Sequence, residues 1–483
     1  MAGFNHGIYV SEQGTELISL TEQAGGVTYA IGTAPIRKAT SPALANEPVL
    51  CTGYADAAAA FGYDEDYKKY TLCEVMKVLF GLYNVSPIVM VNVFDPSKHR
   101  KTVTRELKMA TAEHKIELAG DILSGTIKVE SKSEEEEEEV YTEIELEKIE
   151  YTTEKTTLTL PATYGMGAML YVTYAVPDVT AVSVTDVVGA VDATTGKVTG
   201  LETVNEVYAR FGYTIGQIIA PGFSHNASVG QKMAAKAELI NGHFSAIAIA
   251  DIDTAQATGY ALAGQVKTAS GLESPYLIAC YPALKAGEEV HHLSTHVAGI
   301  MSKQAAQNND IPYKSPSNQY VMANGLCTFE GESNYFGLEA ANALNGQGIM
   351  TVTNFNGFRT WGNETSAYPS STDPKDYWIV ARRMFNFIKT RLTLSFWSQL
   401  DSPIYRRTID SVVNSANTYL NGLVNIGALL GGRVEFNESE NSEEALMRGQ
   451  VNFHCYITPP SPAEVINFVL EYDATYLSNV LRG

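Results

Sequence analysis

Three histidines come first among residues that could do chemistry. His292 and His296 stand four apart, one helical turn, with His291 beside them, the spacing of a two-histidine metal face. Leu293 and not a glutamate follows His292, so the H-E-x-x-H arrangement of a zinc protease is missing, and a surface or interface role is the expectation for these rings. Asp251 and Asp253 close a β-prone run and could serve acid–base or metal chemistry. With His243 they form the strongest catalytic set available to an α/β hydrolase-like enzyme, yet two carboxylates among 54 acidic residues carry little signal. Gly346-Gln347-Gly348 opens like a dinucleotide fingerprint, but Thr351 stands where its third glycine belongs. Neither a Walker A sequence nor a G-x-S-x-G elbow occurs. The glutamate run 134–139 lacks the fixed geometry a cation needs and reads as a solvated loop or hairpin tip. No catalytic residue, cofactor or metal ligand is assigned. Lys375, Arg382, Arg383, Lys389 and Arg391 place positive charge on one helical segment, which is either a solvated face balanced by local acids or a surface for an acidic partner.

The elements around these residues alternate. Val27 to Pro35 reads as a buried strand closed by a proline turn, and Ile88 to Val93 as a strand covered on both faces. Helical patterns run over Asp56 to Phe61 and Thr71 to Tyr83, the second with Leu72, Val75, Met76, Leu79 and Phe80 on one stripe. After a Thr-, Glu- and Lys-rich stretch with strand-like alternation, the α/β pattern resumes near Asp186. Helices are expected over Leu201 to Phe211, Ser228 to Ile240 and His292 to Ala306, and strands over Gln217 to Pro221, Ala246 to Ala250 and Tyr276 to Tyr281. Long helices follow over Asp376 to Leu394 and Pro403 to Leu423, with Gly431-Gly432 as a stop. Gly449 to Ile457 and Glu464 to Tyr472 read as strands separated by a proline-rich turn.

At 483 residues the chain exceeds a single core, and 45% apolar against 18% charged residues is a globular balance. A net charge of -20 repels phosphate backbones and anionic headgroups, so neither nucleic acid nor membrane is expected as a partner. The five cysteines (Cys51, Cys73, Cys280, Cys327, Cys455) lie far apart and read as free thiols. The residues from Met1 to Tyr9 carry no secretory pattern, and no run is long and apolar enough to span a bilayer, which fits assembly inside a cell.

Several stretches, in order along the chain, resemble contractile tail sheath proteins of phages and phage-tail-like bacteriocins: Phe4 to Val10, Gly32 to Pro35, Asp186 to Gly189 with Gly196 to Leu201, Ile219 to Phe223, Ser315-Pro316-Ser317-Asn318, Asn421 to Gly432 and Thr458 to Glu464. The resemblance implies an α/β and α+β multidomain chain. An N-terminal arm (1–20) precedes a layered α/β sheath core (21–96 and 184–355), with a β-rich outer domain inserted at 97–183, an inner domain at 356–457 and a C-terminal arm at 458–483. It also implies a structural subunit, not an enzyme, that stacks in hexameric rings around an inner tail tube between baseplate and tail terminator. Such a subunit is assembled in the bacterial cytoplasm and works in a phage tail or a released bacteriocin particle. Arm strands exchanged between subunits would then fall on Gly7, Ile8, Tyr9 and Val10 and on Val465, Ile466, Phe468 and Leu470, and tube contact on Arg382, Arg383 and Lys389. A non-contractile shell protein is the other structural alternative.

Overall fold

The computed structural model describes residues 26–135, 138–152 and 155–479. Its centre is an eight-stranded sheet in the order Phe358–Trp361, Ile349–Asn354, Leu277–Cys280, Ile247–Asp251, Ile215–Ile219, Val27–Gly32, Ile88–Asn92, Val49–Cys51. The six inner strands are parallel and each end is closed by an antiparallel strand. Parallel strands need both faces covered, which is why these runs are almost wholly apolar. The two-residue alternation divides them cleanly. Ala30, Met90, Ile219 and Ile249 pack with Leu72, Leu79, Val297 and Met301 on one side, whereas Tyr29, Ile31, Val89 and Ile218 pack with Leu201, Val229 and Met233 on the other. Gly26 sits where the neighbouring strand passes closest, and a Cβ there would lie 2.3 Å from the Gly216 nitrogen.

The stripe expected after Thr71 is buried at Leu72, Val75, Met76 and Leu79 and half-buried at Phe80, but its helix widens into a π-turn over Met76–Leu82. The segment expected to be helical from Leu201 is a 3-10 helix over Gly200–Glu206 that becomes α-helical only at Val207–Phe211.

Residues 100–177 form a separate β structure. One sheet joins Arg100–Met109, Met169–Pro177, Lys128–Glu135 and Glu138–Glu143, and a second joins Lys115–Ala119, Lys155–Thr159 and Lys148–Tyr151. Ile116, Leu118, Val129, Leu158, Leu170 and Val172 close a core of their own between them. In the glutamate run, Glu134 pairs with Glu139 and Glu135 with Glu138 across two antiparallel strands, and Lys132 offsets part of the charge at 2.6 Å from Glu139.

The C-terminal part packs helices Ile379–Phe396 and Arg406–Asn425 on a two-stranded sheet, Gly431–Glu435 with His454–Thr458. Met384, Ile388, Leu420, Leu423 and Val434 fill the space between them. Three sequence expectations change here. The helix ends at Asn425 with Gly427 at φ 78, so Gly431-Gly432 opens a strand and is not the stop. The last hairpin strand begins at His454 and not at Gly449, because Gly449 turns at φ 76 and the Asn441 side chain takes both backbone groups of Asn452 at 2.6 and 2.9 Å. Glu464 to Tyr472, expected as a strand, has no ladder among the described residues, none of whose strands lies alongside it to supply the hydrogen bonds.

Candidate functional site

The C-terminal arm is the feature that the chain's own core leaves unused. Beyond Thr458 the proline-rich turn carries the chain away from the hairpin sheet. Val465, Ile466, Phe468, Val469, Leu470 and Tyr472 all lie exposed, Phe468 at 85% and Leu470 at 95%. An apolar, β-prone segment in water, with its backbone unpaired, is a strand waiting for a sheet. The hairpin sheet from which the arm departs has two edges. Along Gly431–Glu435 the outer edge is partly closed, because the Asn417 amide takes the Val434 N–H at 2.7 Å and its carbonyl at 3.0 Å. Along His454–Thr458 no side chain covers the outer edge among the described residues. The N-terminal candidates Gly7, Ile8, Tyr9 and Val10 lie outside the described residues.

The root of the arm is pinned to the body. Asn363 Nδ2 donates to Glu464 Oε1 at 3.0 Å, its backbone N–H donates to Glu364 Oε2 at 3.0 Å, and its Oδ1 accepts from Ser315 Oγ at 2.5 Å. The Ser315-to-Asn318 stretch and the Thr458-to-Glu464 turn, both singled out in the sequence, therefore meet through a residue that was not. Asn363 and Glu364 carry no local pattern and acquire their role only where the loop after Trp361 crosses the arm. Glu364 is 7% exposed, and burial first and the facing Glu464 carboxylate second push its pKa up to about 8.

The three histidines do not converge on a metal. Among the described residues no group of three His, Cys, Asp or Glu side chains is arranged to hold one. His292 Nδ1 lies 2.7 Å from Glu74 Oε2, and its Nε2 accepts the Gly222 N–H at 3.1 Å. His296, fully buried, bridges Tyr83 at 3.0 Å and His291 at 3.1 Å, and burial together with the His291 charge pulls its pKa down to about 3, keeping the ring neutral. Glu74 is fully buried. Burial opposes its charge, and His292 more than offsets that, leaving the carboxyl below its usual range. These contacts tie the loop before the Leu293–Gln307 helix to the Thr71–Val75 helix.

Asp251 is equally committed to structure. Its carboxylate accepts from Ser294 N at 3.0 Å, Ser294 Oγ at 2.5 Å and Ser224 Oγ at 3.0 Å, at the N-terminus of the Leu293–Gln307 helix where the backbone dipole favours negative charge. Asp253 accepts from the Ala255 backbone and the Gln256 side chain, each at 2.8 Å. His243 lies before the start of the Ile247–Asp251 strand and Asp251 at its far end, and that strand alone is roughly 13 Å long. The hydrolase set does not assemble.

Of the basic helix, Arg382 turns inward, 8% exposed, to Asp376 at 3.2 Å and over the Tyr276 ring at 4.8 Å. Arg383 is half-buried in a recess with Ser302, Asp310, Asn386 and Phe387, and burial lowers its guanidinium to about 10. Lys389 alone of the three is exposed, its Nζ 2.8 Å from Ser245 Oγ. The helical stripe that looked like one basic face is thus mostly consumed in packing the Ile379–Phe396 helix on the sheet, because one side of that helix must be buried and Arg382 lies on it.

This arrangement of a parallel sheet, an inserted β structure and a terminal helix–hairpin unit is shared with solved contractile assemblies. The chain matches a subunit in the PVC extracellular contractile injection system sheath complex in its contracted state, with a TM-score of 0.56, 13% identity and 99% of both chains covered. It matches another in the anti-feeding prophage baseplate in its contracted state, with a TM-score of 0.58, 13% identity, and 97% of this chain and 99% of that one covered. At these identities the likeness is one of fold. Residues 372–472 match the family model described as phage tail sheath C-terminal domain. Over 495 aligned positions the chain is 27% identical to the tail sheath protein of Burkholderia phage BcepMu, covering 100% of this chain and 99% of that one. It is 26% identical to the tail sheath protein of Escherichia phage P2 over 143 residues, 30% of this chain and 35% of that one. The tail sheath resemblance carried by the sequence motifs is borne out over the C-terminal domain and along the full length. No helix among the described residues is long and apolar enough to cross a membrane.

Proposed function

We infer that this chain is the structural subunit of a contractile tail sheath, without enzymatic activity, that stacks as hexameric rings around an inner tail tube and contracts to drive the tube through a target envelope. The observation that carries the inference is the pairing of an exposed apolar arm, Val465 to Tyr472, with an open sheet edge at His454–Thr458 in the same fold. An arm with no ladder among the described residues of its own subunit is suited to completing one in a neighbour, where main-chain hydrogen bonds give the link and alternate side chains such as Ile466, Phe468 and Leu470 give the register. Tethered by the segment from Thr458 to Glu464, the donated strand stays paired while the bodies rotate. Contraction is then a rigid-body rearrangement from a kinetically trapped extended lattice, with baseplate and terminator controlling its ends.

Electron microscopy of the purified chain, before and after mild acid or urea, tests this. Wide hollow cylinders are expected. Monodisperse globules would favour an enzyme and thin fixed filaments a shell. For tube contact, Lys389 remains the accessible member of the predicted trio. Lys389→Glu is expected to lower extended-sheath assembly on purified tubes at least about fivefold, with contracted polymers still forming. Unchanged assembly on tubes would remove Lys389 from that contact.

A further inference from the structure

Resting on the arm-donation reading, a second feature of the same segment concerns how the arm is aimed. Between the hairpin sheet and the exposed apolar segment, the arm makes one polar junction with the body among the described residues, at Glu464. Two glutamates, Glu364 from the loop after Trp361 and Glu464 from the arm, face each other with Asn363 bonded to both. Among the described residues neither carboxyl forms an ion pair with a cation. The packed elements do carry charges, but they are engaged elsewhere. Lys375 pairs with Asp373 and Asp376, Arg382 pairs with Asp376, and Lys314 lies over the Tyr313 ring. Two carboxylates so close, one of them buried, cannot both ionise without repulsion, whereas one proton between them makes a hydrogen bond.

We propose that Asn363 and Glu364 are positioning residues for the C-terminal arm: a proton held between Glu364 and Glu464, together with the Asn363 amide, seats the arm root, and its loss to bulk water frees the arm to swing. The sign follows from the buried partner. The fold favours protonated Glu364, so the junction's contribution is fully present below the usual carboxylate range and is lost as pH rises through about 8. Seating is therefore strong in mildly acidic and neutral solution and weak in alkaline solution.

The test uses the full-length, unassembled chain with a nitroxide at exposed Ser461 (Ser461→Cys) in a Cys455→Ser background, the other four cysteines being buried. Between about pH 6 and about pH 9 the mobile spectral fraction is expected to rise at least about fivefold. Glu364→Gln, which keeps a neutral hydrogen-bond donor, should stay immobile across that range, and Asn363→Ala should be mobile throughout, with circular dichroism reporting the fold of each. A flat profile in the parent chain, or a Glu364→Gln profile that tracks it, would overturn the proposal. Because the readout needs no polymer, a failure of sheath assembly in the microscope leaves this result standing, and the reverse also holds.

Discussion

Replacing Ile466, Phe468 and Leu470 together by aspartate is expected to abolish sheath formation while leaving the subunit folded. In the free chain these side chains are 70%, 85% and 95% exposed, so they touch almost nothing whose loss could unfold it. Surface substitutions of this kind shift stability by about 0.5 kcal/mol or less each. In an assembled sheath each would be buried against a neighbour at a gain of about 2 kcal/mol, and a carboxylate placed there adds a desolvation cost. Losing about 6 kcal/mol per donated arm raises the concentration needed for polymerisation more than about a thousandfold. Sedimentation and negative-stain microscopy read the assembly, and thermal unfolding reads the subunit. Ordinary sheaths from the triple variant would show that the arm is not the link between subunits. A collapsed melting temperature would show instead that the arm packs on its own body.

The second large effect concerns stability. Asp251→Ala is expected to destabilise the α/β core by about 3–5 kcal/mol, because it strands the Ser294 N–H and the hydroxyls of Ser294 and Ser224 in an environment where none is more than 2% exposed. Asp251→Asn, which keeps the shape and loses only the charge at the helix N-terminus, should cost about 1 kcal/mol. The first thermal transition is the appropriate measure, since a chain with several cores need not unfold in one step. This pair of variants also separates the two roles weighed for Asp251. A structural cap predicts a graded loss of stability from aspartate through asparagine to alanine. An unchanged transition in Asp251→Ala would mean the carboxylate is spare, and would return it to consideration as a chemical group.

Much of the architecture was legible along the chain because its signals are local. The buried strands Val27–Gly32, Ile88–Asn92 and Ile247–Asp251 announce themselves as continuous apolar runs, and a parallel strand needs no other code. The inserted β structure is visible as a change of composition and period. The apolar tail from Val465 to Tyr472 is equally plain, although its pattern looked like a finished strand and it has no ladder among the described residues. Where the local pattern misled, a specific contact intervened. Asn441 removes Asn452 from the ladder expected from Gly449 onward, and packing of the Ile379–Phe396 helix on the sheet turns Arg382 away from the surface the basic stripe suggested.

The amino-acid order by itself determined which segments bury and which stay out: apolar periodicity reports the free energy of leaving water, and that quantity belongs to each segment alone. What a polar residue does depends on who faces it, and only the folded chain decided that. Asp251 became a helix cap because Ser224 and Ser294 arrive from distant loops, His296 became a neutral bridge between Tyr83 and His291, and Asn363 became the pin of the arm because the loop after Trp361 crosses Ser315 and Glu464 at one point. Hydrogen bonds and charges act over a few ångströms, so their partners are settled by tertiary geometry and not by separation along the sequence.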